Sequence, residues 1–233
     1  MQFWIGTSGF QYAEWKGTFY PEKTPASKML GFYAERFATT EINYTFRRIP
    51  SRQTIQRWAE GTPPRFAFSL KAPQRITHFA KLRDCGDTLR YFFSVVSALS
   101  EKLGPVLFQL PPSFKKDVAL LSDFLREFPE GMRAAFEFRS AAWFADDTFA
   151  ALEKAGVALC IADSEELQTP IIATAGYGYL RLRREDYEAA DISRWAEVVR
   201  QQRPKWSDAF VYFKHEESGM GPKLAQQMSS ELG

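Results

Sequence analysis

A chain of 233 residues with 45% hydrophobic and 25% charged side chains can bury one substantial core, and a formal net charge of +2 is too small to mark a nucleic-acid binder by composition. The two cysteines, Cys85 and Cys160, fall at no metal-ligand spacing. No apolar run reaches the roughly 18 residues of a membrane span, and the opening MQFWIGTSGF has no basic stretch followed by an apolar one, so a reduced, cytoplasmic setting is expected.

Residues 3–7 predict a short apolar first strand running into Gly6-Thr7-Ser8-Gly9, where glycines permit tight backbone geometry. The Gly-x-Gly-x-x-Gly spacing of a nucleotide loop is missing. An aromatic loop follows with Tyr12, Trp15, Phe19, Tyr20 and Pro21, which can stack a substrate ring or simply plug the fold. A helix over 28–37 leads to TEINYTF, residues 40–46. It is predicted as a strand with Ile42, Tyr44 and Phe46 on one face and Glu41, Asn43 and Thr45 on the other. Ser51 is placed to cap a helix over 52–59, closed by Pro63-Pro64.

Residues 65–71 repeat the alternation, with Ala67, Ser69 and Lys71 opposite Phe66, Phe68 and Leu70, and His78 follows just past the strand end. A helix over 87–103 precedes a strand over 105–110 that carries Gln109. A helix over 117–128 then presents Leu120, Leu121, Phe124 and Leu125 as one stripe. Strand 133–139 sets Ala135, Glu137 and Arg139 inward. Helix 147–154 stops at Gly156, a suitable C-cap, and strand 157–163 ends on Asp163. Strand 177–183 places Tyr179, Arg181 and Arg183 together. A helix over 192–202, a strand over 209–214 and a closing helix from Gly221 complete the chain. Eight strands alternating with helices imply parallel pairing with right-handed crossovers. The fold class is therefore α/β, a single (β/α)8 TIM-type barrel domain spanning residues 1–233.

Barrels of this kind gather their chemistry at the carboxyl ends of the strands. The gathered set is Glu41, Asn43, Lys71, Gln109, Glu137, Arg139, Asp163, Arg181, Arg183 and Lys214, with His78 and His215 on adjoining loops. Buried charges must be paired or wet, so ion pairs such as Glu137 with Arg139 or Glu41 with Lys71 are the plainest explanation for part of the set. The surplus of cations points to a small anionic ligand, a phosphate or carboxylate. Glu41, Glu137, Asp163 and His78 are the acid–base candidates; Tyr12, Trp15, Trp143 and Tyr179 join the polar residues as binding candidates. The three carboxylates could alternatively hold a hard divalent cation, although no His-x-x-x-His or Cys-rich spacing supports a metal, and the cofactor is left open. Ser8 does not match Gly-x-Ser-x-Gly and is not assigned as a nucleophile. A second expectation is a binding module that takes nucleic acid or an anionic partner on Arg181, Arg183, Arg184, Lys214 and the aromatic loop. A third is a barrel whose activity has decayed, which would carry a dry, fully ion-paired mouth. The oligomeric state is left open.

Taken together, GTSGF at 6–10 with Tyr12, Trp15 and Phe19-Tyr20-Pro21, TEIN at 40–43, FSLKAP at 68–73 with Thr77-His78, QLPPSF at 109–114, EFR at 137–139 with Trp143, Asp163, and YLRL at 179–182 resemble the domain of unknown function 72 family, also called YecE-like, over essentially the whole length. The resemblance implies a TIM-type barrel of uncharacterised biochemistry. Where many relatives carry His-Gly after the seventh-strand Arg, this chain has Arg183-Arg184. Where they carry paired Asn after the eighth strand, it has Lys214-His215-Glu216. These departures make the mouth more cationic than the family pattern implies.

Overall fold

The computed structural model describes residues 1–217 and 219–233. Eight parallel strands close on themselves in sequence order, β1 (Gln2–Ser8), β2 (Thr39–Ile42), β3 (Ala67–Lys71), β4 (Leu103–Gln109), β5 (Ala134–Glu137), β6 (Ala158–Asp163), β7 (Tyr177–Leu182) and β8 (Asp208–Phe213), with β8 pairing back to β1. The α/β barrel predicted from the alternation of elements is therefore the fold. Around it run α1 (Ala26–Ala34), α2 (Tyr44–Arg47), α3 (Arg52–Glu60), α4 (Gly86–Val96), α5 (Val118–Leu125), α6 (Asp146–Lys154), α7 (Ala189–Gln201) and α8 (Met220–Leu232).

Local chemistry sets the element ends. The Ser51 side chain accepts from the Thr54 backbone N–H and caps α3, and Asp117 does the same for Leu120 at the start of α5. The predicted helix over 87–103 ends earlier, at Val96. A tight 3-10 segment with Ser100 at φ 53° follows, and Lys102 donates to the carbonyls of Ala59 (2.5 Å) and Thr62 (2.7 Å).

The largest departure from the predicted elements is at TEINYTF. The strand stops at Ile42, Asn43 adopts helical backbone angles, and Tyr44 begins a short helical turn. Thr45 Oγ1 donates to the carbonyls of Ile42 (3.1 Å) and Lys71 (2.6 Å), and this local bonding ends the strand. What looked like alternation over 40–46 is two residues of inward polarity followed by a turn.

Two layers fill the barrel below the mouth. The lower is apolar and aromatic, with Trp4, Ala67, Leu107, Ala135, Ala158, Cys160, Tyr177, Tyr179, Phe210 and Tyr212 in one cluster. Above it Tyr212 Oη lies 2.8 Å from the hydroxyls of both Thr39 and Ser69. Strands β1 and β2 approach closely because residue 6 is glycine: a Cβ there would sit 2.1 Å from the Thr39 carbonyl oxygen and 2.8 Å from Tyr33 Oη. Tyr33 uses that space, accepting from the Thr7 backbone N–H (2.8 Å) and donating to the Thr39 carbonyl (3.0 Å).

Candidate active site

Arg181, at the carboxyl end of β7, is enclosed and joins two acids from distant strands. Its Nη2 and Nε donate to Glu41 Oε1 (2.9 and 3.2 Å), and its Nη1 donates to Glu137 Oε2 (2.5 Å). Each carboxylate is then completed by neighbours. Glu41 also accepts from Ser8 Oγ (2.5 Å) and Tyr179 Oη (2.7 Å), and Asn43 donates to Ser8 Oγ (2.7 Å). Glu137 accepts from Gln109 Nε2 (2.7 Å) and Arg139 Nε (2.6 Å), with Arg183 Nη1 3.6 Å away. The expected Glu137–Arg139 pair is present. The expected Glu41–Lys71 pair is replaced by Glu41–Arg181, because β7 reaches across the interior to β2.

Burial works to raise both carboxyls, and the cations outweigh it. Arg181, with donors Ser8 and Tyr179, holds Glu41 below the usual carboxylate range, and Arg181, Arg139 and Arg183 hold Glu137 well below it. Both are therefore fixed as anions. The cations feel the opposite balance. Burial and then the Arg181 charge lower Lys71 to about 8, despite Glu137 and Glu41. Burial followed by neighbouring guanidinium groups also lowers Arg183 and Lys214. His78 is lowered by burial and then by Lys71 and Arg139.

Lys71 donates to Gln109 Oε1 (2.7 Å), and its Nζ lies 4.1 Å from the centre of the Phe46 ring. Glu137, being ionised, only accepts, so the Gln109 amide must give its NH2 to Glu137 and its oxygen to Lys71. The other edge of this arrangement is His78, on the turn Arg75–Phe79, packed edge-to-face on Phe46 at 4.9 Å and 2.9 Å from the Thr77 hydroxyl through Nδ1. His215 Nε2 donates to the Arg184 carbonyl (2.6 Å), and burial lowers its ring.

Three predicted site residues lie elsewhere. Asp163 is turned outward, because the inward positions of β6 are Ala158 and Cys160. Its carboxylate accepts from Tyr187 Oη (2.8 Å), Trp195 Nε1 (3.0 Å) and Gln168 Nε2 (3.3 Å), fastening β6 to α7. Trp15 is fully buried in the aromatic plug, its Nε1 donating to the Glu216 carbonyl (2.9 Å). Trp143 is buried too, stacked on Phe138 at 4.7 Å and bonded to the Phe114 carbonyl (3.2 Å). Neither indole offers a face to a ligand. Tyr179 is enclosed beneath Glu41 and acts on it alone. Tyr12 keeps a rim position, donating to the Ser8 carbonyl (2.8 Å), and lines with Asn43 a cleft of about 620 Å³ beside the charged ring. Of the residues proposed for nucleic acid, Arg181 is enclosed and Arg184 is paired with Asp191 (2.6 Å). Among the described residues no group of three or more His, Cys, Asp and Glu could hold a metal ion.

Two contributors escaped sequence reasoning. Ser8 links Glu41 to Asn43; the glycines around it are a usable signal, since they let the backbone crowd a partner. Phe46 carries both Lys71 and His78, and only the early end of β2 brings its ring there.

A family model described as "Protein of unknown function DUF72" matches residues 4–233. The chain is 33% identical over 114 residues to UPF0759 protein YecE of Escherichia coli (strain K12), covering 48% of this chain and 42% of that protein. It is 31% identical over 134 residues to UPF0759 protein YunF of Bacillus subtilis (strain 168), covering 54% and 47%. The matched stretches thus span less than half the length of these relatives. A crystal structure of a DUF72 family protein from Thermotoga maritima MSB8 superimposes with a TM-score of 0.90 at 26% identity, covering 100% of this chain and 99% of that one. A DUF72 family protein from Enterococcus faecalis V583 shares the fold at a TM-score of 0.82 and 18% identity, covering 99% and 95%.

Proposed function

Because the chain belongs to the DUF72 family, whose description names no reaction, we propose its function from the mouth itself: an enzyme that acts on a small anionic molecule, phosphorylated or sugar-like, by acid–base chemistry at the carboxyl end of the barrel. The observation that carries this reading is Arg183. Among the described residues its Nε and Nη1 are buried without a hydrogen-bond partner, in a mouth where Lys71, Arg139, Arg181, Arg183 and Lys214 outnumber the enclosed acids Glu41 and Glu137. Orphaned guanidinium donors cost free energy until an acceptor arrives, and the oxygens of a phosphate or carboxylate match a guanidinium fork. The exposed acids Glu166 and Glu216 stand farther off, 3.7 Å from Arg139 and 3.9 Å from Lys214. A decayed barrel would have closed these pairs internally.

Glu41 and Glu137 are saturated with donors and held as anions, so they are poor bases; their part is to fix Arg181 and Arg139 in place. Proton transfer falls to Lys71, poised at about 8, with His78 packed against the same Phe46 ring.

Inorganic phosphate tests the anion site. At ten times its Kd a ligand stabilises the folded state by about 1.4 kcal/mol, a rise in Tm of roughly 3–6 °C at this size. Phosphate should produce that rise when chloride at equal ionic strength does not, and Arg183→Met should lose it. An equal rise in both proteins would remove Arg183 from the site, and no rise in the parent would sink the reading.

A further inference from the structure

Lys71 stands out among the mouth cations. Arg139, Arg181 and Arg183 each have an acid within 4 Å and Lys214 has the exposed Glu216, whereas no carboxylate of the described residues lies within that distance of Lys71 Nζ. An amide oxygen and an aromatic face take the place of a counter-ion. A lysine kept only as a structural cation would be served better by a carboxylate. One surrounded by other cations and given neutral acceptors spends more time as the free amine, which is the form that attacks carbon.

We propose that Lys71 forms a covalent imine with the carbonyl carbon of an aldehyde or ketone that carries a phosphate or carboxylate. This rests on the reading of the mouth as an anion site and narrows its substrate class. In the step, the Lys71 nitrogen pair bonds to the carbonyl carbon, the C=O pair moves to oxygen, and a proton passes from nitrogen to that oxygen to give a carbinolamine. Its hydroxyl leaves as water with one proton taken from solvent, and a protonated imine remains. The surroundings suit that product. It has the same charge as the lysine ammonium, so the Phe46 face still stabilises it, and its one remaining N–H can still donate to Gln109 Oε1. The anionic end of the substrate is met by the surplus guanidinium groups. The imine then draws electrons from the adjacent carbon, which supplies the activation that the saturated Glu41 and Glu137 cannot.

The test is reductive trapping on the full chain with two small probes, glyoxylate and glycolaldehyde phosphate, each followed by borohydride, digestion and mass mapping of every lysine. Borohydride turns the imine into a stable secondary amine. Lys71 should be modified on the order of ten-fold faster than the exposed Lys23 and Lys115 by at least one probe, with a rate that rises through a midpoint near 8 rather than the ordinary 10.5. Inorganic phosphate should slow it. Modification of Lys71 no faster than Lys23 or Lys115 with both probes overturns the proposal. If phosphate still raises the Tm in that case, the anion site stands and the imine falls; if neither is seen, both fall. Lys71→Arg, which keeps the charge and cannot form the imine, should retain the phosphate-induced rise in Tm. Should that variant fail to fold, the rates and pH midpoint in the parent chain decide the matter.

Discussion

Among the described residues Arg181 is the one side chain that bonds both Glu41 and Glu137, and its neighbours determine what a substitution at those acids can report. Glu137→Gln at first sight removes a candidate base. In this structure it removes the counter-charge shared by Arg181 and Arg139, so the expected result is a loss of about 3–5 kcal/mol of stability, measured by denaturant unfolding. A change of less than about 1 kcal/mol would mean the pairing contributes little. The pH dependence follows from the same bonds. Both carboxyls titrate lower in the folded chain than unfolded, so their stabilisation is complete above about pH 4.5, near the unfolded value, and is lost as pH falls below it. The Tm of the parent should therefore drop steeply below pH 4.5, with a shallower drop in Glu137→Gln. Glu41, Glu137 and Arg181 were legible in the sequence because each is a charge on the inward position of an apolar strand. Their pairing was not, since distance across a barrel depends on stagger and side-chain reach, and neither leaves a periodic trace.

At the scale of elements, the signals that survived were those with a local mechanism. Ser51 was legible as a cap because a hydroxyl three residues before a free N–H bonds it wherever the helix sits; Ser51→Ala should cost about 1 kcal/mol, read as a shift in the unfolding midpoint. Strand ends were harder. Parallel strands covered on both faces are apolar throughout, so 157–163 carries no alternation to reveal which side faces inward, and its terminal acid reads as a mouth residue although it points outward. The same burial explains Gly6, whose missing side chain lets Tyr33 bond both β1 and β2. Gly6→Ala should cost about 3 kcal/mol or more by driving a methyl group into the Thr39 carbonyl, and thermal unfolding would show it. Tyr33→Phe keeps the ring and removes those bonds, for a loss of roughly 1–3 kcal/mol.

For the whole molecule, closure was legible from a count: eight strand patterns separated by helices admit few other topologies, and the closed barrel agrees. The consequence of Arg181 at this scale concerns how the chain is completed. Glu41 and Arg181 are 140 positions apart, and Glu137 lies 44 positions before Arg181. Without β7 Glu41 has no guanidinium partner and Glu137 keeps Arg139, so the cation that joins the two acids is in place only when β7 is. The charged centre is thereby a keystone, complete only in the closed barrel, that distinguishes a finished barrel from a compact but incomplete one. A chain released before residue 181 lacks the piece that would let it pass for native.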